Sequence, residues 1–502
     1  MSYTNSGSKG RKTSVKKLSI MAALLLINAL FFSVDVHSAK SSALLAVAGV
    51  SIPGDLDGNN IVDIFDVITL ARSYMATPDR PNWNPNADIN KDGIVDLYDA
   101  MILSSHFGEH SQQSMKIGMY TASWNFNQFT AETIANTFDM SQSWILGTGP
   151  EYVAKMNQVH ALNPEYKALV YRNVLAIYKS YPYDAEWNLA TNNGWLLKDP
   201  SGKYIVTYSG ENYMVDIGNS DYQRWVANTI ESWIDQSPFF DGVMVDNSLV
   251  VSARQWEAVG GGRPINPRTG TYFTDAEVFA GYSQLLNEII AAVGPSKLVL
   301  PNGIWNGELF FGNAGYRTIL SNVPELNALG SEGIFFQSHT TNWYTETGWL
   351  KSVDLLVWIQ DNFLRGHPER YFNGWVPIDG QSLPVVSNRE QLVMFGFCSM
   401  MLGAKYSEQN TIGFGETLHE YLDLITLIQE LRSTDMIEPL NDYYKIPYTS
   451  VYARDFVAGK VLVNPTDVAY TITLNGSYTT LDGSVVSDSL AVNPHSGILL
   501  FN

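Results

Sequence analysis

Apolar and polar positions along this chain form blocks that predict short strands separated by longer amphipathic helices. Strands are predicted at Lys116–Thr121, Trp144–Gly147, Ala168–Arg172, Gly242–Asp246, Leu298–Asn302, Ala328–Gly333, Leu355–Ile359 and about Phe395–Ala404. Helices are predicted between them at Thr130–Asp139, Asp221–Gln236, Asp275–Val293 and Asn388–Met394. Eight strands with helical crossovers indicate a parallel α/β architecture, and residues 115–433 predict one (β/α)8 TIM barrel. No Gly-x-Gly-x-x-Gly follows the first strand, which argues against a doubly wound nucleotide-binding sheet.

The pattern changes at both ends of the predicted barrel. Residues 434–502 show short alternating strands with turns at Asn475-Gly476 and Asp482-Gly483, which predict a small antiparallel, β-sandwich-like domain. Residues 1–48 have the order of a secretory signal and spacer: basic residues, an apolar run from Leu18 to Phe32, then small residues. That run is shorter than the ~20 residues of a spanning helix. We therefore expect cleavage and a secreted or cell-surface protein without a membrane span, with an uncleaved anchor as the alternative.

Composition and charge narrow the partners. The 502 residues carry a formal net charge of −19, so nucleic acid and anionic membranes are poor partners. Cys398 is the single cysteine, which excludes an intrachain disulfide. The 13 Trp and 27 Tyr are compatible both with a large core and with stacking against sugar rings.

Residues 52–110 contain an internal repeat of two acidic loops whose first residues lie 33 positions apart. Each loop offers oxygen side chains at positions 1, 3, 5, 9 and 12 and a backbone carbonyl at position 7, a set that suits Ca²⁺. The predicted ligands are Asp55, Asp57, Asn59, Ile61, Asp63 and Asp66 in the first loop, and Asp88, Asn90, Asp92, Ile94, Asp96 and Asp99 in the second. Position 6 must turn with φ > 0, which Gly93 does readily and Asn60 tolerates. Pro53-Gly54 and Pro85-Asn86 precede the loops, so each loop has only a following helix.

This duplicated loop–helix pattern resembles dockerin domains. The resemblance implies two bound Ca²⁺ ions and a cohesin domain on another protein as partner. It also implies that loop positions 10 and 11, here Ile64, Phe65, Leu97 and Tyr98, face the cohesin. The alternatives are that these side chains pack between the two helices, or that the unit is a calcium-stabilised spacer without a cohesin partner.

Functional side chains of a TIM barrel lie at the carboxyl ends of its strands. The apolar strand Gly242–Asp246 ends in an acid followed by Asn247, and Glu332 closes a strand two further on. Side chains just past other strand ends are candidates for a sugar subsite, with core packing as the alternative: Tyr120, Trp124, Tyr171, Arg172, Asn302 and Trp305. Asp216 is a further candidate for substrate binding, or else a cap for the following helix. His339 and His367 lack metal-ligand spacing, so no metal is expected in the barrel.

Four segments resemble an uncharacterised glycoside hydrolase family of (β/α)8 barrels. They are Trp195–Gly202, Met214–Trp225, the strand ending in Asp246-Asn247, and the Gly-x-Glu around Glu332. Related α-galactosidase-like barrels place a nucleophile after strand four and an acid after strand six. The resemblance therefore implies Asp246 as an ionised nucleophile and Glu332 as a general acid/base of raised pKa. Asp361, after predicted strand seven, and Glu408, after predicted strand eight, are rivals for the acid role.

Together these features predict a secreted glycoside hydrolase, retaining in mechanism, that acts on a polysaccharide or oligosaccharide and is tethered through its dockerin. The alternatives are a non-catalytic carbohydrate-binding or adhesion protein on the same scaffold, and a polysaccharide lyase.

Overall fold

The structure is a computed structural model. It describes residues 53–54, 56, 62, 64–107, 115–119, 128–145, 149–179, 183–207, 212–249, 252–260, 262–335, 345–376, 388–405, 407–414, 422–434, 436 and 439–502. The chain divides into two compact units, residues 1–112 and 113–502. The predicted signal segment and five ligands of the first calcium loop (Asp55, Asp57, Asn59, Ile61 and Asp63) lie outside the described residues, as do Tyr120 and Trp124.

Within its described residues, the first unit contains two short helices, α1 (Ile64–Ser73) and α2 (Leu97–Ser105). Its small core is built from apolar side chains of both repeats, including Val62, Leu70, Val95 and Leu103. The last acid of each loop holds the loop in the same way: Leu56 N–H donates to Asp66 Oδ1 and Ile89 N–H donates to Asp99 Oδ1, each at 2.7 Å. The repeat seen in the sequence is therefore also a repeat in hydrogen bonding.

The second unit begins with a closed barrel of eight parallel strands, so the predicted TIM-barrel fold is confirmed. The barrel strands are β1 (Lys116–Met119), β2 (Met140–Trp144), β3 (Lys167–Asn173), β7 (Gly242–Asp246), β8 (Leu298–Ile304), β9 (Ala328–Glu332), β10 (Tyr371–Val376) and β11 (Asn410–Phe414). The helices around them are α3 (Ala131–Thr137), α4 (Pro150–Leu162), α5 (Asp184–Asn192), α6 (Ser220–Gln236), α7 (Ala253–Gly260), α8 (Asp275–Val293), α9 (Gly307–Gly312), α10 (Ala314–Asn322), α11 (Glu346–Ile359), α12 (Arg389–Gly403) and α13 (Ile425–Arg432). A small antiparallel sheet of β4 (Ala176–Tyr178), β5 (Val206–Thr207) and β6 (Asn212–Met214) is inserted between β3 and β7.

Alternation along the strands separates the inside of the barrel from its outer layer. Leu169 and Met244 belong to a small cluster of apolar side chains inside the barrel. Their neighbours Val170, Val243 and Val245 belong to the large core between the strands and the surrounding helices. Because side chains alternate with period 2, Tyr171 and Asp246 follow the inward positions toward the carboxyl ends of β3 and β7.

Three predicted strands are wrong. Leu355–Ile359 lies inside helix α11, and Phe395–Ala404 falls almost wholly on helix α12. The seventh and eighth strands are instead β10 and β11, which follow these helices. The second strand is β2, so the predicted Trp144–Gly147 begins where that strand ends.

The C-terminal region forms antiparallel β structure, as predicted. A six-stranded sheet has the order β12 (Tyr444–Lys445), β13 (Tyr452–Phe456), β14 (Gly459–Asn464), β19 (Ser496–Phe501), β16 (Tyr478–Thr480) and β17 (Val485–Val486), and β15 (Tyr470–Thr473) pairs with β18 (Ser489–Val492). The sheet docks on α12, where Arg454 Nη1 donates to the carbonyls of Met401 (3.0 Å) and Leu402 (3.1 Å). None of the helices in the described residues is long and apolar enough to cross a membrane.

Candidate active site

Asp246 is the last residue of β7, the fourth barrel strand, and its side chain is held at the mouth of the barrel. All five residues of this strand are buried, and Asp246 itself is 8% exposed. The next residue, Asn247, has φ of 56°. This left-handed conformation is uncommon outside glycine but tolerated by Asn. Such backbone outliers are often found at functional sites.

The carboxylate of Asp246 accepts four hydrogen bonds. Its Oδ1 accepts from Asn247 N at 2.8 Å and from Asn302 Nδ2 at 3.1 Å. Its Oδ2 accepts from Tyr171 Oη at 2.5 Å and from Asn247 Nδ2 at 2.8 Å. The structure therefore brings together four residues that the sequence singled out, and the donors come from three strand ends. A carboxylate has about four lone-pair sites, so all of them are engaged.

Burial and hydrogen bonding act in opposite directions on this acid. Burial raises the pKa of Asp246 above its ordinary value, and the hydrogen bonds from Tyr171, Asn302 and the Asn247 backbone lower the pKa in part. The net direction is upward, because removing a carboxylate from water disfavours its charged form. The family resemblance implies the opposite pattern, an ionised Asp246 and a raised pKa for Glu332.

Tyr171 joins Asp246 to an aromatic cluster. Its ring stacks on Trp144 of β2, with centroids 4.6 Å apart and an interplanar angle of 17°. Asn302 is buried inside β8, and Trp305 lies half-buried one residue past the end of that strand. Trp305 packs against the main core rather than standing free, which fits the packing alternative at that position.

Glu332 ends β9, the sixth barrel strand, and its backbone pairs with Trp375 of β10. Its side chain lies outside the described part of the structure. The sheet register is informative: Asn302 pairs with Gly330, and Glu332 lies two residues further toward the carboxyl end. A strand rises about 3.3 Å per residue, so the Glu332 backbone lies roughly 7 Å nearer the mouth of the barrel than Gly330, the residue that pairs with Asn302.

The two rivals for the acid role lie at the other end of the barrel. Asp361 belongs to a π-helical turn that follows α11 and precedes β10, and it pairs with Lys405 at 2.9 Å. Glu408 lies in a short 3₁₀ turn immediately before β11. Both residues therefore precede their strands instead of following them. Their predicted positions after strands seven and eight are wrong because the segments predicted as those strands belong to helices α11 and α12.

Two further candidates lie away from Asp246. Arg172 faces the outer layer, where it is 6% exposed, pairs with Glu186 at 3.0 Å and stacks over Trp225 and Trp233. Asp216 is buried and pairs with Arg268 at 2.5 Å, while Asn219 is the residue that caps α6. The structure thus brings neither Arg172 nor Asp216 to the carboxylate of Asp246.

Sequence reasoning missed the residues that extend this site. The sequence pattern predicts Trp144 only as the start of a strand. It does not predict Tyr178, Tyr183 or Glu186 as site residues. Tyr178, Tyr181 and Tyr183 fall within a stretch of six residues of the sequence. That cluster of tyrosines was the available signal.

The second calcium loop has the backbone that its ligand spacing requires. Gly93 adopts φ of 88°, as position 6 demands. Asp88 Oδ2 accepts from Gly93 N and Asp92 Oδ1 accepts from Ile94 N, both at 2.9 Å. Across the residues that the structure describes, no three His, Cys, Asp or Glu side chains are already arranged as a metal cluster. The fit of calcium to this loop therefore rests on its oxygen donors and their spacing.

The first unit exposes apolar side chains where the dockerin resemblance expects a partner. Ile64 is 47% exposed, Leu97 58% and Tyr98 65%. The side chain of Phe65 is outside the described residues. These exposures disfavour packing between the helices for Ile64, Leu97 and Tyr98.

The described site is thus a hydrogen-bonded carboxylate at the end of the fourth strand of a TIM barrel, beside stacked aromatic rings.

Comparison with known families agrees with both parts. Residues 53–108 match the model described as "Dockerin type I domain", and residues 160–339 match "Hypothetical glycosyl hydrolase family 15". The first match falls on the predicted calcium-loop unit and the second on the middle of the barrel. Both matches agree with the resemblances that the sequence motifs indicate.

Individual relatives cover only parts of the molecule. Cellulosomal-scaffolding proteins B and A of Acetivibrio thermocellus are each 34% identical to this chain over 58 residues, which are 12% of the chain. The matched segment spans 8% and 3% of those relatives' own lengths.

Among solved structures, the maltogenic alpha-amylase AmyB of Thermotoga neapolitana is similar to the present chain, with a TM-score of 0.46 and 11% sequence identity. The match covers 77% of the present chain and 98% of the amylase. The GH36 alpha-galactosidase AgaA of Geobacillus stearothermophilus covers 78%, with 56% of its own length matched, at 11% identity and a TM-score of 0.43. Likeness at this level carries no argument about activity.

Proposed function

We propose that this chain is a secreted retaining glycoside hydrolase that acts on a polysaccharide or oligosaccharide, with Asp246 as nucleophile and Glu332 as general acid/base. The observation that carries the proposal is the set of donors on Asp246. Tyr171, Asn247 and Asn302 fix the direction of its carboxylate at the barrel mouth. A nucleophile must be held in one orientation for attack, and these donors hold the carboxylate in one orientation.

Glu332 fits the second carboxyl group because of where its strand ends. It closes strand six at the same rim as Asp246 on strand four, and its backbone is roughly 7 Å further toward the mouth than the level of Asn302. Retention requires the two carboxyl groups to be about 5–5.5 Å apart, and inversion about 6.5–9.5 Å.

In this proposal an oxygen of Asp246 attacks the anomeric carbon while the bond from that carbon to the leaving oxygen breaks. Protonated Glu332 gives its proton to the leaving oxygen. Water then attacks the glycosyl–enzyme ester, Glu332 takes a proton from it, and the Asp246 carboxylate is released. The Tyr171 hydroxyl can rotate, so it can stop donating its hydrogen bond to Asp246 Oδ2 as the covalent bond to the sugar forms.

The tether follows from the dockerin type I domain. We propose that the two loops bind one Ca²⁺ each and that the exposed side chains of Ile64, Leu97 and Tyr98 contribute to a cohesin interface. The relatives that match this unit are themselves cellulosomal scaffolding proteins. An enzyme held on such a scaffold acts outside the cell, in agreement with the signal-like N-terminus.

Release of reducing ends from a panel of polysaccharides tests the hydrolase. The wild-type chain is expected to release them, and Asp246→Asn to lose at least about 10³-fold in kcat, because removal of a nucleophile eliminates the covalent route. Asp361→Asn is the matched control, an acid at the opposite rim, and is expected to keep activity.

Equal activity of wild type and Asp246→Asn would refute the assignment. Binding without any release of product, by a chain whose folding is confirmed, would favour a carbohydrate-binding protein instead. Unsaturated products would indicate a lyase.

A further inference from the structure

The turn that follows Asp246 is held against the neighbouring strand β8. The backbone N–H groups of Ser248 and Leu249 both donate to the carbonyl of Asn302, at 3.0 Å and 3.3 Å. The side chain of the same Asn302 donates to Asp246 Oδ1 at 3.1 Å. One residue of β8 therefore holds both the carboxylate and the turn after it, so a shift of the turn relative to β8 changes the donors on Asp246.

Ser248 closes this turn. Its side chain is fully buried, and its hydroxyl donates to the carbonyl of Val245 at 2.6 Å. The bond spans Asn247, whose φ of 56° lies in the left-handed region that few residues other than glycine adopt. A residue keeps such a conformation only when its surroundings hold it there. Ser248 supplies part of that hold, although it is not among the four donors to Asp246.

Gly303 provides the space in which the turn lies. It sits where the register between β8 and β9 shifts, between Asn302 and Ile304, and its φ is 139°. A Cβ atom at this position would lie 2.9–3.0 Å from backbone atoms of Leu249. Rotation of a side chain cannot relieve contacts with backbone atoms. Glycine alone therefore suits both the φ value and the close approach of the turn.

The irregular segment of β8 is anchored from the outer layer of the barrel. The carbonyl of Gly303 accepts a hydrogen bond from the hydroxyl of Tyr316 on α10 at 3.2 Å. That hydroxyl accepts in turn from Gln255 Nε2 on α7 at 3.4 Å. Tyr316 is fully buried. The support for the turn after Asp246 thus extends through Gly303 to two outer helices.

We propose that Ser248 and Gly303 are positioning residues for the candidate nucleophile. They hold the turn after β7 against β8, and so keep the Asn302 side chain within hydrogen-bonding distance of Asp246. The proposal rests on the proposed function for the part that Asp246 plays in the reaction. The support itself is a property of the folded chain, so it can be tested both with and without a substrate.

Movement of the turn away from β8 has a defined effect on Asp246. Burial raises the pKa of this carboxyl, and the hydrogen bond from Asn302 is one of those that lower it. Loss of that bond therefore raises the pKa further. Among the described side chains, Tyr171 and Tyr178 are the titratable groups that interact with Asp246, and the substitutions below keep both. A carboxylate displaced by about 1 Å can also lose about 100-fold in rate.

Gly303→Ala in the full-length, calcium-loaded chain is the first test. On the substrate that the wild type hydrolyses, kcat should fall about 10–100-fold while KM stays within about twofold, because the groups that bind the substrate are unchanged. The acidic limb of kcat/KM should move up by about one pH unit, the effect of one lost hydrogen bond to a charged group.

A second readout needs no substrate. The folded-state pKa of Asp246 follows from the pH dependence of unfolding, measured with and without Asp246→Asn, and it should rise by about one unit in Gly303→Ala. Gly312→Ala is the matched control, because it adds the same methyl group at the end of α9, where no atom would lie within 4 Å of it. The control should change neither kcat nor this pKa.

Ser248→Ala tests the same support without adding an atom. It removes the hydrogen bond to Val245, so it should raise the pKa of Asp246 by less than Gly303→Ala does and lower kcat by about two- to tenfold. Ser283→Ala is its matched control, because it removes a buried hydroxyl that donates to the carbonyl of Phe279 at 2.8 Å within α8. That control should change neither value. If Gly303→Ala does not fold, Ser248→Ala decides the question.

An unchanged pKa of Asp246 in the folded variants overturns the proposal, and so does a loss of activity that lies wholly in KM. A raised pKa in the variants of a chain whose wild type releases no reducing ends supports the positioning role and refutes the proposed function. An active wild type whose variants keep both the pKa and kcat has the opposite meaning: the proposed function stands and the positioning role is refuted.

Discussion

Tyr171→Phe tests how the protein controls the charge on Asp246. The substitution removes one hydroxyl, whose oxygen lies 2.5 Å from Asp246 Oδ2, and leaves the ring that stacks on Trp144 at 4.6 Å. Packing is therefore retained while one hydrogen bond to the carboxylate is lost. That hydrogen bond lowers the pKa of Asp246, against the upward effect of burial. Its removal should raise this pKa further.

The magnitude follows from the type of bond. A hydrogen bond to a charged group contributes about 1.5–3 kcal/mol, and one pKa unit corresponds to about 1.4 kcal/mol. Asn247 Nδ2 still donates to the same oxygen, so we expect the lower end, an increase of about one unit. A nucleophile must be ionised, so the acidic limb of kcat/KM against pH should move up by about one unit.

The assay is the pH profile of kcat/KM on the substrate that the wild-type chain hydrolyses, with Tyr152→Phe as matched control. Tyr152 is a buried tyrosine on α4 whose hydroxyl pairs with Ser143, outside the barrel. Its substitution should leave the acidic limb in place. An acidic limb that stays fixed or moves down in Tyr171→Phe would refute the role given to Tyr171 and to Asp246 as the titrating group.

Three other predictions follow from the same contacts. Burial raises the pKa of Asp246 above 3.8, so the contribution of this group to the free energy of unfolding is complete below pH 3.8 and is lost as the pH rises through the folded-state pKa. Chemical unfolding at a series of pH values should show this loss in the wild type and not in Asp246→Asn. The same pH dependence in both proteins would contradict the prediction. Arg172→Leu should lower the free energy of unfolding by about 3 kcal/mol, because it breaks a buried ion pair, whereas Arg224→Leu breaks an exposed pair and should lower it by less than about 1 kcal/mol. Calcium titration should give two sites in the wild type, one in Asp88→Ala and none when Asp55→Ala is added; an unchanged stoichiometry would exclude these ligands.

The sequence predicted the elements in the middle of the barrel well, because their bounds depend on the local pattern of apolar and polar residues. Strand β7 and the helix α8 have the bounds expected from the sequence, because each is an apolar segment with clear polar ends. Thr274 and Glu277 form a capping box that starts α8. Asp246 could be placed at the mouth because an acid at the carboxyl end of a buried strand has no packing role.

The last two strands could not be predicted in the same way. Helix α12 is buried on nearly all sides because the C-terminal sheet covers its outer face: Gln391 donates to the carbonyls of Pro494 and His495. A helix that is apolar all round loses the 3.6-residue period and resembles a buried strand. Strand β11, in contrast, begins Asn410-Thr411, whose buried polar side chains hide it in the sequence.

Site residues near the end of a single strand could be predicted from the sequence. Site residues that several separate segments bring together could not. Asn247 directly follows β7 and Asn302 lies near the carboxyl end of β8, and the sequence predicted both as site residues. The row of Trp144, Tyr178 and Tyr183 depends on the sheet inserted after β3, whose strands are two or three residues long. Strands of that length leave no periodic signal, so the aromatic cluster around Tyr171 becomes apparent only in three dimensions.

The central claim is that Asp246 forms a covalent bond with the sugar. Its most direct test is mass spectrometry of the wild-type chain after reaction with the 2-deoxy-2-fluoro glycosyl fluoride of the sugar that the chain releases, since this reagent slows breakdown of the glycosyl–enzyme ester. The account predicts one sugar on the peptide that contains Asp246 and none on the Asp246→Asn protein. A label on a different residue, or a first product of inverted anomeric configuration, would contradict it.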